Sequence, residues 1–337
     1  MRQMAKAKFK YPQKPKVKPS STNSFIRKTA NEWIELAKKQ LPPKMLFSEF
    51  WHEHELCILF SDTNLGKTIL GVQIANSIAS GKAIAGFLME ANESKVLYLD
   101  LELSAKQFEL RYSDNYSGHY VFSDNLERIE INPEHIPEGD ISEKINQDME
   151  AEIISSKAKI VIVDNITWLR SNNETAKDAL PLMKHLKQLK QKYGLSILAL
   201  AHTPKRDLTR PITGNDLAGS RMLMNFCDSS FAIGGSSQDP GKRYLKQVKA
   251  RATSIVYGFD NVIVCDLHKE TNFLGFEYIV EEPEGLHLKT ISEDDIEVRN
   301  TNILEALKLG TDKTKIASDN NVSRQTIYNI LKKSDLK

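Results

Sequence analysis

The chain has 337 residues and 40% hydrophobic content, enough for one large packed domain with one or two small ones. No apolar run approaches the roughly 20 residues of a membrane helix and no secretory signal is visible, so the expectation is a cytoplasmic protein with no membrane role. Cys57, Cys227 and Cys265 are too widely spaced for a CxxC or Cys/His metal pattern and read as buried thiols of a reducing compartment, and the formal net charge of +2 is small but unevenly spread.

Residues 1–20 carry Arg2, Lys6, Lys8, Lys10, Lys14, Lys16 and Lys18 with no acid, interrupted by Pro12, Pro15 and Pro19. They read as a disordered basic arm, either touching nucleic acid loosely or simply solvated. Residues 21–44 form an N-terminal helical segment. Within it, 24–40 place Phe25, Ile26, Trp33, Ile34, Leu36 and Ala37 at amphipathic spacing before Pro42-Pro43.

The main body, 45–280, alternates apolar strand patterns with helix patterns, as a mostly parallel sheet with crossover helices requires. Its first strand, Leu56–Phe60, runs into Ser61-Asp62-Thr63-Asn64-Leu65-Gly66-Lys67-Thr68, and a helix pattern, Lys67–Ala79, follows at once. This is the strand–loop–helix layout of a phosphate-binding P-loop, with backbone N–H groups and a helix N-terminus around the anion. Lys67 is expected on the β- and γ-phosphates and the Thr68 hydroxyl on Mg²⁺. Ser61 stands where the pattern G-x-x-x-x-G-K-[ST] has its first glycine, so the loop must open less sharply there.

Three further strands end in polar residues. Lys95–Leu101 leads into Asp100 and Glu102, Lys159–Asp164 has the Walker B form with Asp164 as the Mg²⁺ carboxylate, and Leu195–Ala201 is followed by His202. Ligands of open α/β sheets gather beyond such carboxyl ends. Asn165 follows Asp164, so the water-positioning base must come from elsewhere: Glu102 is the first candidate and Asp100 the alternative. His202 is placed to sense a γ-phosphate. The helices between are expected over Ser104–Tyr112, Ser142–Ile154 and Thr175–Tyr193, the last kinked or started by Pro181. Later strands are expected at Ser229–Ile233, Tyr244–Ala252, Asp260–Leu267 and Phe273–Val280, some pairing as hairpins.

These motifs resemble the RecA-like ATPases, in the branch of RepA-type and DnaB-type hexameric helicases and KaiC-like proteins, over roughly residues 45–270. The resemblance implies an α/β fold with a RecA-like P-loop NTPase core, and ATP with Mg²⁺ bound between subunits of a homo-oligomer, a hexamer favoured. It also places the catalytic glutamate at Glu102, beside Lys67 and His202. Trans-acting fingers fall on the late strand at Lys249 and Arg251, two apart and therefore on one face. Arg221 is the competitor, and Asp228 stands near the position of the RepA-type arginine. The loops Arg170–Lys177 and Thr203–Ser220, the latter with Lys205, Arg206 and Arg210, correspond to channel loops that touch single-stranded DNA, although neither offers an aromatic residue for stacking.

Residues 281–299 are acidic and weakly apolar and read as a linker. Residues 300–337 read as a small all-α domain that resembles the helix-turn-helix of resolvase/invertase-type DNA-binding domains. In it, Ala317 sits at the helix crossing, Asn321 at a turn needing positive φ, and Val322 in the turn. Ser323, Arg324, Gln325, Thr326, Tyr328, Asn329, Lys332 and Lys333 are the candidate contacts to duplex DNA. Two functions follow: a RepA-type, helicase-like ATPase of plasmid or mobile-element replication, or an ATP-switched DNA-binding regulator without helicase activity.

Overall fold

A computed structural model describes residues 24–135, 141–166, 176–204, 206–217, 220–290, 293–320 and 322–334. The expected basic arm, most of the loop 170–177, Lys205 and Asn321 lie outside the described residues, as does the side chain of Arg221. The chain divides into two units, Met1–Pro42 and Pro43–Lys337. In the first, α1 (Ala30–Ala37) is shorter than the expected 24–40. Thr29 fixes its start: the Thr29 hydroxyl accepts the Glu32 N–H at 3.2 Å, and the Glu32 carboxylate accepts the Thr29 N–H at 2.7 Å.

The second unit opens with a short antiparallel pair that the sequence pattern does not announce, β1 (Met45–Phe47) and β2 (Trp51–His52). Phe47 stacks on Phe50 and Phe87, Phe50 also stacks on Tyr257, and Phe231 packs tilted against Phe50. β3 (Leu56–Ser61) and α2 (Lys67–Ser80) flank the P-loop. Then come β4 (Val96–Asp100), α3 (Ala105–Arg111), β5 (Leu126–Ile129), α4 (Ile141–Ser156) and β6 (Ile160–Asp164). α5 (Ala176–Tyr193) runs through Pro181 instead of starting there. β7 (Ser196–His202), α6 (Ser220–Phe226), β8 (Ser229–Gly235), β9 (Lys242–Lys249), β10 (Val262–Glu270) and β11 (Phe273–Glu282) complete the sheet.

The nine strands lie in the order β11-β10-β9-β8-β3-β7-β6-β4-β5. From β8 to β5 all pairs are parallel; β8–β9, β9–β10 and β10–β11 are antiparallel. The central parallel strands are buried on both faces, which is why they read as unbroken apolar runs. Alternate residues serve opposite cores: Cys57, Leu59, Tyr98 and Ile162 join Leu70 and Ile74 of α2, while Ile58, Phe60, Leu99 and Val163 join Ile153 of α4 and Leu186 of α5. All three cysteines are buried and free. Among the described residues no helix is long and apolar enough to cross a membrane.

The expected linker at 281–299 is corrected. β11 continues to Glu282, a 3-10 turn covers Glu284–His287, and both Glu284 and His287 are buried. Acidic composition suggested solvent, but the Glu284 carboxylate is paired inside the protein with Lys246 and accepts the Ile212 N–H at 2.7 Å and the Tyr244 hydroxyl at 3.2 Å.

The last three helices are α7 (Glu293–Lys308), α8 (Lys313–Asp319) and α9 (Arg324–Lys333). They have their own apolar core of Ile303, Ile316, Ala317, Ile327 and Ile330, with Leu304, Leu307, Val322 and Leu331 packed against it. Asp312 caps α8 through the Thr314 N–H at 2.8 Å, and Ser323 caps α9 through the Thr326 N–H at 3.1 Å.

Candidate functional site

The register of the parallel strands brings the polar ends together. Ser61 lies opposite His202, and Asp100 opposite Asp164. The segments leaving the strands stay attached to their neighbours: the Leu101 N–H donates to the Asp164 carbonyl at 2.7 Å, Ile166 to Leu200 at 2.9 Å and Thr203 to Ser61 at 3.0 Å.

Ser61 ends β3 inside the sheet, with its hydroxyl donating to the Asp62 carbonyl at 2.8 Å. The left-handed turns fall later, at Asn64 (φ 65°) and Gly66 (φ 96°). The first glycine is therefore dispensable here, because Asn64 tolerates the left-handed region and Gly66 takes the position that a side chain would not. Gly66 is also the N-cap of α2, so the helix N-terminus opens onto the loop of Asp62, Thr63, Asn64 and Leu65.

Lys67 is buried at the start of α2, and its Nζ lies 3.0 Å from His202 Nδ1. An ammonium is donor-only, so Nδ1 accepts and Nε2–H faces Glu102 Oε1 at 3.3 Å. Glu102 Oε1 also accepts from Asn165 Nδ2. Burial lowers the Lys67 pKa, opposed by Asp164, Glu102 and Asp62. The hydrogen bond from His202 lowers the Glu102 pKa, with burial opposing and the charges of Lys67 and Arg111 adding to the drop. The site thus holds an ionised carboxylate beside an imidazole and a desolvated ammonium.

Asp164 is fully buried, and its Oδ2 accepts the Tyr98 hydroxyl at 2.8 Å. Its Oδ1 has no hydrogen-bond partner among the described residues. Burial pushes its pKa up to about 6, against hydrogen bonds from Thr68 and Tyr98. An orphaned buried carboxylate oxygen beside a threonine hydroxyl is the donor chemistry that Mg²⁺ takes. Among the described residues no cluster of three or more His, Cys, Asp or Glu could hold a metal ion.

Both carboxylate oxygens of Asp100 are engaged by neighbouring groups. Its Oδ1 accepts the N–H groups of Glu102 (3.1 Å) and Leu103 (2.9 Å), and its Oδ2 pairs with Arg128 Nε at 2.9 Å. Sequence reasoning missed both Arg128 and Tyr98. Arg128 sits on the short, half-buried β5, and Tyr98 has the pattern of one more apolar strand residue.

Other expected residues lie elsewhere. Lys249 donates to the carbonyls of Met224 and, at 2.7 Å, Cys227, at the end of α6, and Arg251 pairs with Asp228 at 3.1 Å. Lys249 lies opposite Ser230, at the end of the sheet away from the P-loop, so neither residue reaches the site of its own chain. Arg206 is drawn to the P-loop: its side chain is 5% exposed and its Nε lies 3.4 Å from Asp62, which also accepts from the Thr203 hydroxyl. Arg210 is exposed and paired with Asp207 at 3.2 Å. On α9, Arg324, Gln325, Tyr328, Asn329, Lys332 and Lys333 are exposed, and Thr326 is half-buried. Ser323 is spent as a cap, Gln325 donates to Asn329 at 3.2 Å, and Lys313 lies over the Tyr328 ring.

The inserted strand β7 between the P-loop strand and the Asp164 strand, with four polar strand ends around one phosphate cradle, defines a RecA-like P-loop ATPase core. The chain belongs to the AAA domain family (AAA_25), whose model matches residues 24–207. Among solved structures it is similar to the KaiC-like protein PH0186 from the hyperthermophilic archaeon Pyrococcus horikoshii OT3. The TM-score is 0.47 and the identity 13%, covering 67% of this chain and 91% of that one. No curated protein matches it in sequence.

Proposed function

We propose that the protein hydrolyses ATP as a DNA-associated, RepA-type helicase-like ATPase, acting as a ring-forming homo-oligomer in the replication or maintenance of plasmid or mobile-element DNA. The observation that carries the catalytic part is the line of contacts from Lys67 through His202 and Glu102 to Asn165, beside Thr68 and Asp164.

In this reading the backbone N–H groups of the P-loop and Lys67 hold the β- and γ-phosphates. Glu102, kept ionised by His202, orients the attacking water and takes its proton. His202 is shared between Lys67 and Glu102, so a γ-phosphate that draws Lys67 also alters the Glu102 hydrogen bond. Thr68 and Asp164 would hold Mg²⁺, which when bound neutralises charge on the phosphates. Lys249 and Arg251 act on a neighbouring subunit's phosphates, and Arg251, half exposed, is the freer of the two.

The three-helix unit supports duplex binding as a helix-turn-helix, with α9 entering the major groove. Replacing Lys332 and Lys333 with Ala is expected to weaken duplex binding at every sequence and reduce its salt slope by about 2.

The test is ATP hydrolysis with no DNA, single-stranded DNA and duplex DNA, beside a Glu102→Gln control. Strong stimulation by single strands that disappears in the control is the expected result, and Lys67→Ala is expected to abolish turnover. Full turnover in either variant overturns the site assignment. A second reading, an ATP-switched DNA-binding regulator without helicase activity, is favoured by the capture of Arg206 on Asp62, which removes a cation from an expected channel loop. Slow turnover indifferent to single strands, with duplex binding intact, selects it.

A further inference from the structure

Glu102 belongs to no helix or strand. It lies just past the end of β4, where a side chain would ordinarily be poorly fixed, yet its neighbouring peptides are held on several sides. The Leu101 N–H is on the Asp164 carbonyl, and the N–H groups of Glu102 and Leu103 are both on Asp100 Oδ1. The Leu103 carbonyl accepts from Arg128 Nη2 at 2.8 Å, while Arg128 Nε takes the other oxygen of Asp100 at 2.9 Å. One guanidinium therefore grips the Leu103 peptide directly and, through Asp100, the N–H groups of Glu102 and Leu103.

Arg128 is well placed to act as a rigid clamp. β5 pairs it with Tyr98, its side chain is 18% exposed, and the guanidinium lies 4.8 Å from the centre of the Phe108 ring. Its remaining nitrogen, Nη1, pairs with Glu130 at 3.0 Å. A planar fork that satisfies two acceptors at a fixed angle is a task for arginine and not for lysine. The Asp100 side chain has no exposed surface, so this pairing is not loosened by solvent.

We propose that Arg128, acting through Asp100 and the Leu103 carbonyl, is a positioning residue for the Glu102 carboxylate; the proposal rests on the reading of Glu102 as the water-positioning base. Arg128 touches no reacting atom. Its removal lets the 101–103 segment drift, and a misplacement of about 1 Å at a catalytic group costs on the order of 100-fold in rate.

The experiment compares Arg128→Met, Arg128→Lys, Glu102→Gln and the double variant Glu102→Gln/Arg128→Met in the full chain, by steady-state and single-turnover ATP hydrolysis. Arg128→Met keeps the apolar stem over Phe108 and is expected to lower kcat roughly 10- to 100-fold while KM for ATP stays within about threefold. Arg128→Lys, which can satisfy one acceptor but not both, is expected to fall between it and the wild type. It carries the test if Arg128→Met does not fold. In the double variant, loss of Arg128 is expected to cost no more than about twofold beyond Glu102→Gln alone, because residues acting through one another are not additive. The proposal fails if Arg128→Met keeps kcat within about twofold while Glu102→Gln is inactive, or if the Arg128 loss multiplies fully onto Glu102→Gln. It also fails if kcat falls only in step with a rise in KM. Wild-type turnover in Glu102→Gln instead removes the reading on which it rests.

Discussion

Burial of the Asp164 carboxylate makes it a liability when no cation is bound beside it. Its side chain is fully buried, Oδ1 has no partner among the described residues, and its pKa is pushed from 3.8 up to about 6, chiefly by desolvation. The folded protein therefore binds this proton more tightly than the unfolded chain, and stability falls as pH rises from about 4 through 6. At about 1.4 kcal/mol per pH unit the penalty reaches about 3 kcal/mol above pH 7, of which about 1 kcal/mol is already present at pH 4.5. Asp164→Asn removes the charge and keeps an oxygen for the Tyr98 hydroxyl, while its new N–H groups cost about 1–2 kcal/mol if they find no acceptor. In magnesium-free buffer the variant is expected to be about 1–2 kcal/mol more stable than wild type at pH 7.5 and to lose that advantage near pH 4.5. Urea denaturation followed by circular dichroism, with EDTA present, measures the difference at both pH values. Hydrolysis is expected to be abolished at every pH. A stability difference that stays flat within about 0.5 kcal/mol between those pH values, or a variant less stable at pH 7.5, refutes the reasoning.

Breaking the Lys246–Glu284 pair, whose side chains are 9% and 0% exposed, leaves a buried charge alone. Lys246→Met or Glu284→Gln is expected to cost about 3–5 kcal/mol in urea denaturation, and Lys246→Met/Glu284→Leu less than the sum of the single losses. Gly66→Ala forces a side chain into φ 96° within 3.0 Å of the Phe276 ring, so ATP titration should show at least about tenfold weaker binding. Asn64→Gly, at φ 65°, should bind within about threefold of wild type. His202→Ala removes the hydrogen bond that holds the Glu102 pKa down, so the acid limb of the pH–rate profile should move to higher pH as kcat falls. An unmoved limb separates His202 from Glu102.

The polar strand ends were legible because each follows a run buried on both faces, and such runs are marked by composition alone. Arg128 was not legible, since β5 has four half-buried residues and its pairing with β4 is a long-range choice that no local pattern encodes. Arg206 misled for a related reason: a cation in a polar loop reads as solvated until the register places Asp62 beside it. Glu284 was hidden by its acidic neighbours, because a window average does not reveal that one carboxylate faces inward. The Ser61 departure lost its force once the left-handed turns were found at Asn64 and Gly66.

Register is what turns scattered residues into a site. Tyr98, Asp100 and Glu102 share one parity along the strand that leads out of β4, as do Ile160, Ile162 and Asp164 on β6, and Tyr98↔Ile162 and Asp100↔Asp164 are paired. A slip of one residue between β4 and β6 would send Asp164 to the opposite face, away from Tyr98 and α2. The two cores prevent that slip, because Tyr98 and Ile162 pack on the α2 side while Leu99 and Val163 pack against α4 and α5. The apolar residues on either side of Asp100 and Asp164 thus set the direction of these carboxylates, and the strands best buried are the ones whose ends form the candidate site. Smaller substitutions such as Ile162→Ala are therefore expected to lower turnover beyond their cost in stability, through Tyr98 and the Asp164 carboxylate that its hydroxyl holds.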